Sequence, residues 1–286
     1  MRKSLLTFCM AAAAIFVQAE VVMKLEVARE SYIQYEPIYA ALTMRNSSGQ
    51  VLVFGAESEL KGYMGIEVTN AANGRPLKSS GSKVDLRGLI LKAGTDQRIR
   101  INLNKWIKVT APGSYRIKIF ISHPRLKYKY ESNAAYFNVS AGNVFWSKTI
   151  GIPQLDPNST AAPQQRVYKL KALQDKSDIY LFLFIEDEKK IYAFKPIGML
   201  IGRETPKCET DSLNRLHILM PLSTKVFHYM AFDWHGEREI NKIYRTGRDI
   251  PVLFRNPING EVKVVGGELA QLGVDYTGEN LLPDKK

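Results

Sequence analysis

His228, Asp233, His235 and Glu237 form the only cluster of metal-capable side chains in the sequence, with His217 upstream. Two imidazoles and a carboxylate are a donor set for zinc or iron if the fold brings them together. Their spacing matches no ligand motif. Asp233-Trp234-His235-Gly236 has Asp first and Gly fourth, as a type I turn prefers. His228 falls on the alternation face of Val226, Met230 and Phe232, where a hydrogen-bonded, half-buried histidine is the ordinary case. Neither a metal nor another cofactor is therefore expected.

Cys208 would be a nucleophile with His217 or His228 as base, a chemistry that needs a thiolate at hydrogen-bond distance from its partner. Thr205-Pro206-Lys207-Cys208-Glu209 carries no protease signature, so a structural thiol is expected. There is no Gly-x-Ser-x-Gly elbow for a serine hydrolase. Gly74 through Lys83 lacks the Gly-Lys-Ser/Thr ending of a phosphate loop and reads as a connection. Glu186, Asp187 and Glu188 share one expected turn, where solvation explains them; a glycosidase pair would depend on a separation that only the fold sets.

The binding candidates are Arg125, Lys127, Tyr128, Lys129 and Tyr130, within His123-Pro124-Arg125-Leu126-Lys127-Tyr128-Lys129-Tyr130. In an extended conformation the three cations project one way, and Leu126, Tyr128 and Tyr130 the other. Interleaved cations and aromatics suit acidic glycans, anionic lipids or single-stranded nucleic acid. The ordinary alternative is a hairpin whose lysines stay in water and protect an edge strand. The charge distribution agrees with an anionic partner for the first half. Residues 20–140 hold 18 Lys+Arg against 10 Asp+Glu, whereas residues 141–286 hold 20 against 18.

The elements that must position these residues are strands. Met23, Leu25 and Val27 alternate with Lys24 and Glu26; Ile38, Ala40, Leu42 and Met44 line one face, as do Met64, Ile66 and Val68. Arg98 to Leu103 alternates throughout, and Tyr115, Ile117, Ile119 and Ile121 oppose Arg116 and Lys118. Period two with one wet face is the pattern of a sandwich layer. Asn46-Ser47-Ser48-Gly49, Asn73-Gly74, Ala93-Gly94 and Pro112-Gly113 supply the turns. The second half predicts three hairpins, with turns at 186–189, 233–236 and 256–260, and a short helix over Glu268 to Leu272. Asp187 and Asp233 stand 46 residues apart in similar aromatic-strand and acidic-turn units, too few to close a propeller. The Pro-rich, polar stretch 152–165 reads as a linker or long loop. A boundary falls near 141, with Phe145 and Trp146 expected at the join.

Three groups carry a family resemblance: Tyr35-Glu36-Pro37-Ile38, Leu91-Lys92-Ala93-Gly94, and Ala111-Pro112-Gly113-Ser114-Tyr115. On these, residues 21–140 resemble a bacterial immunoglobulin-like or fibronectin-like extracellular module. The last group is similar to the tyrosine corner of such sandwiches. The Cys pair and core Trp of antibody-type domains are missing. The resemblance implies adhesion, spacing or partner binding. The expected fold is thus all-β: an immunoglobulin-like β-sandwich over 20–140, then a second, mainly antiparallel β domain over 141–286.

Arg2 and Lys3, the apolar run Leu5 to Val17, and Val17-Gln18-Ala19 have the form of a cleavable signal peptide over 1–19. The run is short for a membrane span, and no later stretch is long and apolar enough for one. The mature chain is expected to be periplasmic or extracellular and soluble. Loss of Cys9 leaves Cys208 alone, so no internal disulfide can form. The function expected is an exported binding or structural protein without catalysis. Its partner would be an anionic polysaccharide, an envelope surface or another exported protein; export argues against nucleic acid. The rivals are a secreted hydrolase with its site in the C-terminal β domain, and an inhibitor or accessory module of a secreted enzyme. Intact-mass analysis of exported protein should give a chain beginning at Glu20; retained Met1 would refute the processing.

Overall fold

A computed structural model describes residues 20–55, 61–77, 86, 88–152, 164–201 and 204–278. The expected signal segment, most of Gly74 to Lys83 and most of 152–165 lie outside them. Apart from a 3₁₀ turn at Leu103–Lys105, the regular elements among the described residues are strands. No helix among them is long and apolar enough to cross a membrane.

Two sheets make the first unit. One is ordered β1 (Val21–Val27), β3 (Tyr39–Asn46), β7 (Asp96–Asn102). The other is ordered β2 (Ser31–Ile33), β10 (Ala135–Ser140), β8 (Gly113–Ser122), β5 (Tyr63–Asn70), with β9 (Tyr130–Glu131) on β8. A small pair, β4 (Leu52–Val53) and β6 (Ile90–Leu91), closes one margin. Pairing is antiparallel except for β2 on β10. The alternating residues read from the sequence meet between the sheets: Leu25, Leu42 and Met44 from one, Met64, Ile117 and Ile119 from the other, all in one buried cluster. The Tyr115 hydroxyl donates to the Ala111 carbonyl oxygen at 2.7 Å, and its ring stacks on Phe137. Burial raises the Tyr115 pKa, which keeps that donor protonated.

The second unit is another pair of sheets. A meander of β11 (Asn143–Gly151), β12 (Gln165–Asp175), β13 (Asp178–Glu186) and β14 (Ile191–Met199) faces a sheet ordered β15 (Lys207–Thr210), β16 (Leu216–Pro221), β17 (Val226–Phe232), β18 (Arg238–Arg245), β21 (Glu268–Leu269). Tyr168, Leu170, Leu181 and Leu183 pack against Leu216, Ile218, Met220 and Met230 between them. The hairpin β19 (Val252–Arg255) with β20 (Val262–Val265) lies outside this pair of sheets, its Arg255 Nε donating to the Thr210 carbonyl.

Two expectations are corrected by this arrangement. Glu268–Leu269 is a strand, because Gly266 and Gly267, both at positive φ, bring the chain back onto the open edge of β18, where Glu268 also pairs with Arg245. β11 and β12, on either side of the stretch 152–165, pair directly with each other. Phe145 and Trp146 are not at the join. A bulge between Val144 and Trp146 leaves Phe145 exposed, while Trp146 packs on the second core.

The join is made instead by the chain from Arg29 to Glu36. Ile33 is buried with Leu173, Phe182 and Phe184 on the outer face of the β11–β14 sheet. The Ser31 amide donates to Asp175 Oδ1 at 2.9 Å, and the Arg29 guanidinium lies 4.8 Å from the Tyr180 ring centroid. Arg29 is also bonded to Glu36, whose other oxygen accepts the Ile33 amide at 3.0 Å. Gly142, at φ 73°, turns the chain from β10 into β11; a Cβ there would stand 2.5 Å from Ile33 Cδ1. Only glycine fits so close an approach in the left-handed region.

The Tyr115 hydroxyl bond can be tested directly. Tyr115→Phe removes one hydrogen bond and leaves the packing, so it should lower unfolding free energy by about 0.5–1.5 kcal/mol. Urea denaturation checks this; an unchanged midpoint would show that the hydroxyl contributes nothing.

Candidate functional site

The segment 123–130 is not extended; it folds into a turn around His123, which corrects the expected separation of cations from aromatics. His123 is buried, its Nδ1 accepting the Arg125 amide at 3.0 Å. Nε2 therefore carries the hydrogen and donates to the Val53 carbonyl at 3.1 Å. Burial lowers the His123 pKa, in keeping with this neutral form. Leu126 is buried while Tyr128 is 58% exposed, so the two do not share a face.

The five predicted residues divide accordingly. Tyr130 is half-buried, its hydroxyl donating to Glu20 Oε2 at 2.9 Å, and packs on the first core. Arg125 is exposed and donates from its guanidinium to the Val51 carbonyl at 3.0 Å. Lys127 is exposed, its ammonium 5.3 Å from the Tyr128 ring centroid. Lys129 reaches over the adjoining sheet and places Nζ 3.6 Å from the centroid of Phe120.

That last contact extends the site onto residues that sequence reasoning missed. Phe120 is on the wet face of β8 with Arg116 and Lys118, opposite Gly65 on the edge strand β5. A Cβ on Gly65 would lie 2.0 Å from the Phe120 ring, so the ring rests across bare backbone. A cross-strand aromatic laid over a strand glycine supplies packing that the glycine lacks. Tyr63 meets Phe120 edge-on at 6.4 Å, and Tyr136, 59% exposed, stands opposite Arg116. Arg116 approaches Glu67 at 3.9 Å, while Lys118 and Lys129 share Glu131 at 3.3 and 3.7 Å. Among the described residues no ion pair involves the Arg125 guanidinium or the Lys127 ammonium, while the Lys127 amide donates to Glu20 Oε2 at 3.1 Å. The signal in the sequence was Phe120 breaking an otherwise charged alternation; its link to Gly65 is visible only in the register.

Of the four candidate metal residues only Asp233 and His235 meet, His235 Nδ1 lying 3.1 Å from Asp233 Oδ2. His228 Nε2 donates to Asn241 Oδ1 at 2.6 Å within the β17–β18 sheet, and its buried Nδ1 has no partner. Asp233 Oδ1 accepts the amides of His235 and Glu237 at 2.9 and 2.7 Å, which closes the turn. Glu237 is exposed beside Lys195. No group of three metal-capable residues converges among the described residues. Cys208 pairs against Ile218 and packs on the second core; burial pushes its thiol up to about 12, so no thiolate forms near neutrality.

His217 belongs to a different arrangement. Tyr229 donates its hydroxyl to His217 Nδ1 at 2.7 Å, and His217 Nε2 donates to Asp211 Oδ2 at 3.1 Å. Asp211 also accepts Arg215 Nε at 2.6 Å and the amides of Leu213 and Arg215. Burial alone would raise the Asp211 pKa, but the bonds from His217 and Arg215 outweigh it and hold it below the ordinary range. The order of groups is that of a catalytic relay, yet all three side chains are buried. The relay fastens the 211–215 turn to the sheet.

No family model and no curated protein matches the chain. Among solved structures it is similar to the Pseudomonas fluorescens alkylpurine DNA glycosylase AlkC bound to DNA containing an abasic site analog. The TM-score is 0.30 and the identity 17%, over 42% of this chain and 30% of that one. It is also similar to Spo0M, a sporulation control protein from Bacillus subtilis, at TM-score 0.29 and 6% identity, over 59% of this chain and 80% of that one. Likenesses this slight carry no functional argument.

Burial lowers the pKa of His123, His217 and His228 below the ordinary 6.5. Each favours the folded state as a neutral ring. That contribution is complete above the unfolded-state value and is lost as pH falls from 6.5 toward the folded-state values. The melting temperature should therefore be lower at about pH 5.5 than at about pH 7.5. An equal or higher value at the lower pH would contradict the neutral assignments.

Proposed function

We propose that the protein is an exported, non-catalytic binding protein whose first sandwich holds an anionic envelope or extracellular polymer, an acidic polysaccharide being the best fit. The carrying observation is the exposed Tyr128 flanked by Lys127 and by Lys129, the latter held over Phe120. Arg116, Lys118 and Tyr136 continue this cationic and aromatic surface along the sheet. Cations attract a polyanion at long range, and a sugar ring packs on an exposed aromatic face. Export rests on the form of residues 1–19. The resemblance to immunoglobulin-like extracellular modules is supported by the Tyr115 hydroxyl bond, and such sandwiches present loops to partners. Catalysis in the second unit has little support: Cys208 is a partly buried thiol whose pKa burial pushes up to about 12, and Asp211, His217 and Tyr229 are buried.

Binding of the mature chain to polygalacturonate, with neutral dextran as control, tests the reading. Salt should weaken it, since exposed charges are screened over about 8 Å at physiological ionic strength. Charge alone would do the same, so two variants decide. Tyr128→Ser preserves net charge and removes an exposed ring, and should weaken binding by about 1–3 kcal/mol if the ring stacks. Arg98→Gln/Arg100→Gln removes charge from the opposite sheet and should matter less. Wild-type affinity in Tyr128→Ser together with a loss in the arginine variant would leave only unspecific attraction.

A further inference from the structure

Between the turn at Gln34 and Tyr35 and the outer face of the β11–β14 sheet lies a cleft of about 640 Å³. It shares no residue with the cationic surface of the first sandwich. Phe194 lines it, in edge contact with the buried Phe184 at 5.2 Å, and the 187–192 hairpin forms one wall. Its size is within the range of small-molecule sites.

Two features point to a ligand. The first is charge. Lys171, its side chain only 14% exposed, holds Nζ 4.1 Å from the Phe184 centroid and 3.7 Å from Glu186 Oε2. Glu186 also takes Lys169 Nζ, at 2.5 Å. Lys171, largely desolvated, and Lys169, 32% exposed, thus share one carboxylate, which leaves Lys171 only a 3.7 Å contact and room for a second anionic partner; Asp187 and Glu188 also line the cleft. Lys190 adds a further cation on this wall, its Nζ 4.4 Å from the Tyr192 centroid.

The second feature is Tyr35. It is a non-glycine residue at φ 71°, the left-handed region, and its ring is 47% exposed on the cleft wall. The Arg29–Glu36 pair and the bond from the Glu36 amide to the Ile33 carbonyl hold the turn in this shape. Glycine would take the same conformation without strain, and strained residues cluster at ligand sites. The ring meets Phe184 edge-on at 6.5 Å. An aromatic wall beside a half-buried cation, with Glu186 and Gln34 at hand for hydroxyl groups, matches the chemistry of a pyranose that carries a carboxylate.

We propose that this cleft is a binding site for an acidic sugar, its carboxylate against Lys171 and its ring against Tyr35. The probe is sodium D-glucuronate, titrated into the full mature chain by calorimetry or NMR, with D-glucose as the neutral control. Glucuronate should bind at least about tenfold more tightly than glucose, and Lys171→Gln should remove most of that difference, as expected for a charge-assisted bond. Tyr35→Gly should still melt cooperatively, because it relieves backbone strain, yet bind glucuronate about tenfold more weakly for want of the ring. Tyr35→Phe should bind like wild type. Tyr128→Ser should leave glucuronate affinity unchanged, which separates this site from the polymer-binding surface. Equal affinity for glucuronate and glucose would overturn the proposal, as would wild-type binding by a folded Tyr35→Gly. Inorganic phosphate binding as tightly as glucuronate would also overturn it, since it would show an anion site without sugar recognition.

Discussion

Strand β13 has no wet side along its middle. Leu181, Leu183 and Ile185 point into the core of the second sandwich, and Phe182 and Phe184 point out of it, yet all five are buried. A strand apolar on both faces must be covered on both. The second sheet of its own unit covers one face, and Ile33 of the first unit helps to cover the other. From this constraint follow the glycine at 142, the Arg29–Glu36 pair that holds the covering turn, and the bond from Ser31 to Asp175. The two sandwiches meet through this packed contact, and the cleft at Tyr35 opens where the cover ends.

The titratable groups obey the same logic of burial. His123, His217 and His228 are each enclosed and each held neutral. His123 closes a loop, His217 fastens a turn, and His228 bridges adjacent strands. Cys208 is partly buried, and burial pushes its thiol up to about 12. Lysines, arginines, glutamates and some tyrosines, together with His235, are exposed on strand faces and loop tips.

Much of this was legible in the residues. Period-two alternation marked the strands from Val21 to Val27, Tyr39 to Asn46 and Gly113 to Ser122, and turn residues placed three hairpins in the second half. Ala111 to Tyr115 announced a hydroxyl bond that the fold contains. These features are local, or depend on which side of one strand is apolar, and a chain segment carries that information by itself. Glu268 to Leu272 misled because a helical run and a short edge strand look alike over a few residues, and the open edge of β18 decided between them.

Strand content, turns and the basic bias of the first half could be read along the chain. Tertiary structure alone decided what covers the second face of β13, why Phe120 lies over Gly65 so that Lys129 can stand above it, and why Lys169 and Lys171 share Glu186. The reason is the range of the interactions. Alternation and turn chemistry act between neighbours along the chain, whereas register and sheet stacking join residues far apart in it, and no single segment records which partner it will meet.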